Sequence, residues 1–189
     1  MIWMKTGSRW FIAFAFLAGF FFGSIASAQI DSAKPDYETL FKDNLRRGTL
    51  NLSGKKIGDK GLQVLLKQEF VGGLKKIDLR YNEISPAGAR LLANAEPFKK
   101  LKTLILKHNF LSDEGAVALA GSRSFTQLRD LQLGWNEIRD AGALAFAESK
   151  NFPNLKKLDL RGNFLAGKTK DVLRTSLAHL KSLRIFQSE

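Results

Sequence analysis

Few residues of this sequence have the types and spacing that catalysis requires. The two histidines, His108 and His179, have no serine, cysteine or carboxylate at the spacing of a known nucleophile motif. Cysteine is absent, which excludes thiolate nucleophiles, disulfides and cysteine metal sites. Metal binding needs clustered histidines or carboxylates, and the sequence has no such cluster. We therefore expect a protein that is not an enzyme and that needs no metal and no cofactor.

Binding chemistry is more evident, because cations and aromatic residues recur at a fixed interval of 27 residues. One series is basic and contains Lys75, Lys102, Arg129 and Lys156. A second series lies six residues further along and contains Tyr81, His108 and Trp135. Cations attract acidic surfaces, and tryptophan and tyrosine are favoured at binding hot spots. We interpret both series as candidate binding residues.

Both series belong to a repeated phrase of six residues. Four clear copies, all ending in asparagine, begin 27 residues apart and occupy 77–82, 104–109, 131–136 and 158–163. A degenerate copy at 50–55 ends in Lys55 instead. Self-similarity at such a period is the mark of a solenoid, in which each coil buries its apolar side against its neighbours.

Each copy of the phrase predicts a short strand, because its first and third positions are apolar while the residues between them vary. The asparagine amide carries two donors and an acceptor, so it can satisfy backbone groups where the chain leaves the strand. Stacked in successive coils, these side chains are predicted to form a structural ladder. Its members are Asn82, Asn109, Asn136 and Asn163.

A helix is predicted after every strand. Asp59, Asp113 and Asp140 stand where an N-cap is needed, and Ser85 with Pro86 serves the second coil. A glycine recurs two residues after these positions, which predicts close approach of helix to strand. Two apolar rows are expected to fill the core. They are Leu65, Leu92, Leu119, Phe146 and Leu173, and Val71, Phe98, Phe125 and Phe152.

The pattern resembles the leucine-rich repeat family, specifically its ribonuclease-inhibitor-like class with a helix in each repeat. The signature Leu-x-x-Leu-x-Leu-x-x-Asn-x-Leu, with isoleucine at some apolar places, stands at 74–84, 101–111, 128–138 and 155–165. The resemblance implies an α/β fold: a right-handed solenoid forming a short arc, with parallel strands on its concave face and helices on its convex face. The repeat domain is predicted over 49–186, with about five repeats and a C-terminal capping strand.

The N-terminal part of the sequence predicts export. Residues 1–28 have the parts of a secretory signal peptide: Lys5 and Arg9, an apolar run over 11–22, and a final Ala-Ser-Ala. Cleavage after Ala28 would make the protein periplasmic or secreted. The alternative is an uncleaved anchor, because residues 10–30 carry no charge and could just span a bilayer. Residues 29–48 are predicted to hold a polar linker and a helix over 36–45 that caps the first edge of the sheet.

The concave face is predicted to expose the variable positions of the signature, which form five columns across the coils. The first column, termed here the basic row, contains Lys75, Lys102, Arg129, Lys156 and Lys181. The last, termed the aromatic column, contains Tyr81, His108 and Trp135. The second contains Lys76, Asp130 and Lys157; the middle one contains Asp78, Ile105, Gln132, Asp159 and Arg184; the fourth contains Arg80, Lys107 and Arg161.

These columns hold most of the net charge of the chain. They contain eleven basic and three acidic residues. Without Lys5 and Arg9, the remaining 28 basic residues exceed the 18 acidic residues by ten, so a surplus of eight lies on one face. Such a field steers anionic partners toward the sheet.

We predict a monomeric, non-catalytic module that binds an acidic protein through the basic row, the fourth-column cations and the aromatic column. One alternative is an envelope component that binds polyanions, such as an anionic surface polymer, lipid headgroups or extracellular nucleic acid. Export argues against genomic nucleic acid. A third interpretation makes the basic row solubilising and the aromatic column a set of side chains packed on one another. Phe110 and Phe164 either extend the apolar rim or fill the turn.

Overall fold

The computed structural model describes residues 36–186, which belong to one compact unit. The predicted signal peptide at 1–28 and the first linker residues lie outside the described residues. Within this range seven strands form one sheet in chain order. They are β1 (Leu45–Arg46), β2 (Thr49–Asn51), β3 (Lys76–Asp78), β4 (Thr103–Ile105), β5 (Asp130–Gln132), β6 (Lys157–Asp159) and β7 (Ser182–Arg184).

The register of the sheet places equivalent residues of successive coils side by side. From β2 onward all neighbouring strands pair in parallel, and Ile77 lies opposite Leu104, which lies opposite Leu131. Neighbouring strands in a sheet are about 4.8 Å apart. Side chains at one position of the repeat therefore form a straight column across the sheet.

Six helices are described, and those from α2 onward connect the parallel strands. They are α1 (Tyr37–Asn44), α2 (Gly58–Leu65), α3 (Pro86–Ala93), α4 (Ser112–Gly121), α5 (Asp140–Glu148) and α6 (Gly167–Ser176). Each helix packs against the next along the array. The arrangement confirms the predicted α/β solenoid. No helix within residues 36–186 has the length and apolar character needed to cross a membrane.

The core lies between the sheet and the helices. Leu104 in β4 and Leu119 in α4, which represent the apolar strand positions and the inward helix positions, are 0% and 1% exposed. A second row stacks beside them, with ring centroids 5.3 Å apart for Phe98 and Phe125 and 6.4 Å apart for Phe125 and Phe152. Both rows continue through successive coils, so burial of apolar surface between coils is the main source of stability.

The N-terminal edge of the sheet is covered by a strand that the sequence analysis did not predict. Strand β1 pairs antiparallel with β2 through a tight turn in which Arg47 and Gly48 have φ values of 48° and 78°. The predicted helix is present as α1, but it packs against α2 and β2 with Phe41 fully buried. The helix therefore covers the first coil, whereas the hydrogen-bonding edge of β2 is covered by β1.

The predicted N-caps at Asp59, Asp113 and Asp140 are wrong, because each carboxylate bonds the coil that follows. Oδ1 of Asp113 accepts a hydrogen bond from the backbone N–H of Arg139 at 2.8 Å. Asp59 and Asp140 accept from the equivalent N–H groups at 3.0 and 2.9 Å. The predicted cap at Ser85 is confirmed, since its Oγ accepts the N–H of residue 87 at 3.0 Å.

Two coils lack a preceding aspartate and begin their helices differently. Pro86 occupies the place of the aspartate, so the N–H of Ser112 donates forward to the carbonyl of Asn136 at 2.9 Å. Ser112 then has a φ of 49°. Gly58 in the first coil has the same arrangement as Ser112: its φ is 55° and its N–H donates to the Asn82 carbonyl at 3.0 Å. A left-handed residue thus takes the place of the missing carboxylate contact.

The recurrent glycines lie where neighbouring helices meet, so the predicted helix–strand approach is wrong. A Cβ on Gly115 would lie 2.9 Å from Cβ of Ala89 in the preceding helix. A Cβ on Gly142 would lie 2.6 Å from Oδ1 of Asp113. Gly142 therefore provides the space through which Asp113 reaches the next coil, whereas Gly115 lets α4 approach α3 closely.

Candidate functional site

A ladder of asparagines holds the chain where it leaves each strand. Nδ2 of Asn109 donates to the Leu79 carbonyl at 2.9 Å, and its Oδ1 accepts the N–H groups of Asn82 and Ile84, both at 3.0 Å. Asn82, Asn136 and Asn163 donate to the preceding coil in the same way. Oδ1 of Asn136 is the one buried side-chain oxygen or nitrogen in the described residues without a hydrogen-bond partner.

The residue that precedes each ladder position has a left-handed backbone conformation. The φ values are 71°, 54°, 54°, 55° and 69° for Gly54, Tyr81, His108, Trp135 and Gly162. The glycines show that the turn can be made without a side chain. Three bulky residues adopt the same conformation at a cost of about 1 kcal/mol each, which points to a role beyond the turn itself.

The aromatic column is a continuous stack of parallel rings. The ring centroids of Tyr81 and His108 are 4.2 Å apart, and those of His108 and Trp135 are 4.7 Å apart. The interplanar angles are 11° and 9°. A Cβ on Gly162 would collide with the indole of Trp135, so the last ring lies over this glycine. The structure thus brings the three predicted aromatic residues together.

Beside the aromatic column, the fourth-column cations bond the two aspartates of the middle column. Arg80 donates to both carboxylate oxygens of Asp78, with distances of 2.8 to 3.2 Å. Arg161 contacts Asp159 at 2.7 Å, and Nζ of Lys107 reaches the same carboxylate from two strands away at 2.9 Å. Three predicted binding cations are therefore engaged within the protein.

Gly134 makes room for this reach across the sheet. It occupies the fourth-column place between Lys107 and Arg161, and a Cβ there would lie 2.9 Å from the Arg161 carbonyl. Because Gly134 lacks a side chain, Lys107 and Arg161 converge on Asp159, and both also lie near the Trp135 ring at 5.8 and 5.9 Å from its centroid. The sequence analysis missed this role of Gly134, although its break in a basic column was a visible signal.

The ionisation of these groups follows from their surroundings. Burial alone would raise the pKa of Asp159, but hydrogen bonds from Arg161 and Lys107 lower it to about 2. The same contact with Asp159 raises the pKa of Arg161. Burial, together with the charges of Lys107 and Arg80, lowers the pKa of His108. These contacts therefore favour the charged forms of Asp159 and Arg161, whereas the surroundings of His108 favour its neutral form.

The predicted exposure of the middle column is wrong for Asp78, Ile105 and Asp159, whereas Arg184 is exposed and Gln132 is partly buried. Asp78, Ile105 and Asp159 are 3%, 6% and 4% exposed. The fourth-column cations fold over Asp78 and Asp159, so these carboxylates are removed from solvent. The two carboxylates consequently offset part of the positive charge in the middle of the sheet.

The basic row lies at the opposite end of the strands from the aromatic column. Lys75, Arg129, Lys156 and Lys181 are exposed, and Lys102 is partly buried with its Nζ on Oε1 of Gln127 at 3.0 Å. Within residues 36–186 none of the five is in an ion pair. The charge available to a partner is thus concentrated at this end.

The aromatic column continues into an apolar rim formed by Phe110 and Phe164. These side chains are 53% and 60% exposed, so of the two predicted roles they extend the rim. Together with Tyr81, Trp135 and the backbone between them they border a shallow groove of about 400 Å³. Their place directly after the ladder asparagine in alternate coils was the sequence signal for this extension.

Comparisons with known proteins bear on the repeat and the fold. The model of a family described as Leucine Rich repeat matches residues 74–93, 99–120 and 126–147, so the chain contains leucine-rich repeats in three consecutive segments. Such repeats are typically non-enzymatic modules for protein interaction. The chain matches no curated protein sequence. A solved structure titled "Leiomodin-1 Actin-Binding Site 2 (ABS2)" is similar at a TM-score of 0.48 and 17% identity, over 81% of this chain and 78% of that chain.

Proposed function

We propose that the protein is an exported, non-catalytic module that binds an acidic protein partner with its basic row and aromatic column. One observation carries the proposal: the five cations of the basic row have no ion-pair partner within the described residues, whereas the neighbouring cations Arg80, Lys107 and Arg161 are paired with Asp78 and Asp159. Charge that stabilised the fold would be paired in the same way. The unpaired row is therefore available to steer and hold an acidic surface.

The aromatic column supports a protein partner in particular. Three large side chains are held in a left-handed conformation that glycine adopts without strain in the same column.

The helix in each coil and the 27-residue period further favour the ribonuclease-inhibitor-like class, whose coils form an extended binding surface. Five strand spacings by about four residues give roughly 300 Å², and a standard interface needs about 800 Å² per partner. The Phe110 and Phe164 rim enlarges the contact surface.

The experiment is a pull-down with the protein from an envelope extract, comparing the wild type with a charge-reversed variant. The variant replaces Lys75, Lys102, Arg129 and Lys156 by glutamate. Its matched control replaces the exposed residues Lys60, Lys67, Arg123 and Lys150, which lie outside the concave face, so that both chains change charge equally. We expect the first variant to lose the partner and the control to retain it. Equal retention by both variants contradicts the proposal.

A second candidate function is polyanion binding, which the regular one-per-strand spacing of the basic row favours. Phosphate contacts give a log-linear loss of affinity with salt, and many unrelated polyanions should then bind alike. A single saturable protein partner, with binding strongly reduced in Trp135→Ala, supports the protein-binding proposal instead. Measuring the affinity for a polyanion and for the protein partner at increasing salt concentrations separates the two functions.

We also propose that residues 1–28 are removed on export and that the mature protein is a periplasmic or secreted monomer. The sequence pattern of this segment supports the proposal. Cell fractionation and N-terminal sequencing of the recovered protein test it, with Gln29 expected as the first residue. Recovery of the intact chain in the membrane fraction would instead support the anchor formed by residues 10–30. Sedimentation of the mature protein tests the monomeric state.

A further inference from the structure

The aromatic column has two different ends, although both end positions are glycine. At the far end, Trp135 lies over Gly162 and leaves no space for a Cβ. At the near end stands Gly54, where a Cβ would meet nothing within 4 Å. The backbone at Gly54 has a φ of 71°, close to the values of the ring-bearing positions. The left-handed turn is thus repeated at this end, but no side chain fills the place that a ring occupies in the next three coils.

The empty place borders an available ring face. One face of Tyr81 lies on His108 at a centroid distance of 4.2 Å. Because equivalent positions follow one another along the array, the opposite face is directed toward the place beside Gly54. Tyr81 is 51% exposed, which agrees with an uncovered face. Its stacked arrangement is also fixed in advance by the rings below it, so a further ring needs little reorganisation of the protein.

We propose that this open face of Tyr81 is a stacking site for an aromatic side chain of the protein partner. The inference rests on the proposed function and adds the chemistry of one contact. A ring in this place would lie parallel to Tyr81 and above Gly54, and would extend the column by one member. Aromatic pairs in such offset-stacked arrangements contribute beyond the burial of their area.

The surrounding charges favour a side chain over a nucleotide. Arg80, next to Tyr81, is bonded to Asp78 at 2.8 Å, and Lys56, two residues after Gly54, pairs with Glu83 at 3.4 Å. The unpaired basic row lies six residues back along the chain, at most roughly 20 Å away at 3.3 Å per residue. The two features therefore lie at opposite ends of the strand and its following turn. A protein surface can span both features with separate residues.

The same separation defines the partner segment. It carries acidic residues that face the basic row and one aromatic residue that reaches the Tyr81 face. Lys55, exposed beside Gly54, favours an acidic neighbour of that aromatic residue. The recognised chemistry is therefore an acidic surface with a projecting tryptophan, tyrosine or phenylalanine.

The test uses two fluorescein-labelled acidic peptides that differ in one residue, with tryptophan in one and leucine in the other. Fluorescence anisotropy measures their affinities for the wild type and for Gly54→Trp, whose own indole is expected to fill the empty place. Gly54→Ala is the matched control, because it brings the same backbone strain without a ring. We expect the wild type and Gly54→Ala to prefer the tryptophan peptide by about tenfold. Gly54→Trp should bind both peptides equally.

A second variant, Tyr81→Leu, removes the ring face and should also abolish the preference. Thermal unfolding followed by circular dichroism verifies that each variant is folded. An unchanged preference in Gly54→Trp or in folded Tyr81→Leu overturns the proposal, as does a wild type without preference. If adenosine monophosphate displaces the peptide from the wild type but not from Gly54→Trp, the place beside Gly54 binds a nucleotide base instead. The charge-reversed variant should lose affinity for both peptides. This result tests the proposed function alone, because it depends on charge and not on the ring face of Tyr81.

Discussion

The two ends of the concave strands are built in opposite ways. At the entry end, the basic row is solvated and, within the described residues, free of ion pairs. At the exit end, the asparagine ladder, the Lys107–Asp159 contact and the aromatic column connect one coil to another. The entry end therefore carries charge that the fold does not use. The exit end carries side chains whose positions are determined before any partner arrives.

This comparison implies that equivalent substitutions should have unequal effects on stability. Changes at the exit end remove contacts between coils, whereas changes at the entry end alter a solvated surface. Four predictions follow this contrast, and each pairs a residue of the exit end or of the turn that follows it with a matched control.

Asn109→Ala should have the largest effect and lower the free energy of unfolding by about 3 kcal/mol, because buried backbone groups lose their partners. Its side chain bonds three backbone groups of the preceding coil and is 3% exposed. Lys75→Ala at the entry end and Lys55→Ala in the degenerate coil should each change stability by less than about 0.5 kcal/mol. Urea unfolding measures all three. Equal values for Asn109→Ala and Lys75→Ala would remove the distinction between the two ends.

Gly162→Ala should destabilise the protein by about 3 kcal/mol, of which about 1 kcal/mol reflects the left-handed backbone and the rest displacement of Trp135. Gly54→Ala shares the backbone conformation but has open space, so it should cost only about 1 kcal/mol. In a Trp135→Ala background the two substitutions should cost the same. A double-mutant cycle by urea unfolding tests whether the ring contact is the source of the difference.

Asp159→Asn should lower stability at neutral pH by about 2 kcal/mol and remove part of the pH dependence. The pKa of Asp159 is lowered from 3.8 to about 2 in the folded protein, so its contribution is present above pH 4 and is lost as the pH falls through about 2. The gap between the variant and the wild type should thus narrow between pH 4 and pH 2. Asp130→Asn, whose carboxylate contacts Gln132 rather than a cation, is the matched control. Unfolding curves at several pH values provide the measurement.

Ser112→Gly should have the smallest effect and stabilise the protein by about 0.5 kcal/mol, because glycine relieves the left-handed strain at the start of α4. Ser85→Gly, at the equivalent place before α3, should instead destabilise by about 1 kcal/mol. There the serine caps the helix and bonds Asp59, and its φ is −88°. Changes of opposite sign in the stabilities of the two variants, measured by thermal unfolding, would support the explanation that Pro86 causes the different start of α4. The same sign for both variants would contradict this explanation.

The fold was largely predictable because it depends on periodic burial. The apolar positions of the phrase determine the strands, and the Phe98 row follows from the same interval of 27 residues. The helix starts were not predictable from local propensity. Asp113 has the residue type of an N-cap, but the carboxylate bonds the next coil, and this partner is chosen by packing between helices rather than by the local chain.

The site was predictable in its membership more than in its geometry. The register places Tyr81, His108 and Trp135 in one column, as their spacing indicates, but their left-handed backbone has no marker in these residue types. The buried state of Asp78 and Asp159 also could not be read from an alternating strand pattern. It depends on long cations that fold over from other positions, one of them two strands away.

The separation of the basic row from the aromatic column gives the two contributions to binding distinct thermodynamic signatures. Contacts with the basic row should appear as a dependence of affinity on ionic strength, because exposed charges are screened by salt. Contacts with the aromatic column should appear as a negative change in heat capacity, which marks burial of apolar surface. Calorimetry of one complex at two salt concentrations and several temperatures would therefore assign the binding energy to each end of the strands without a single substitution.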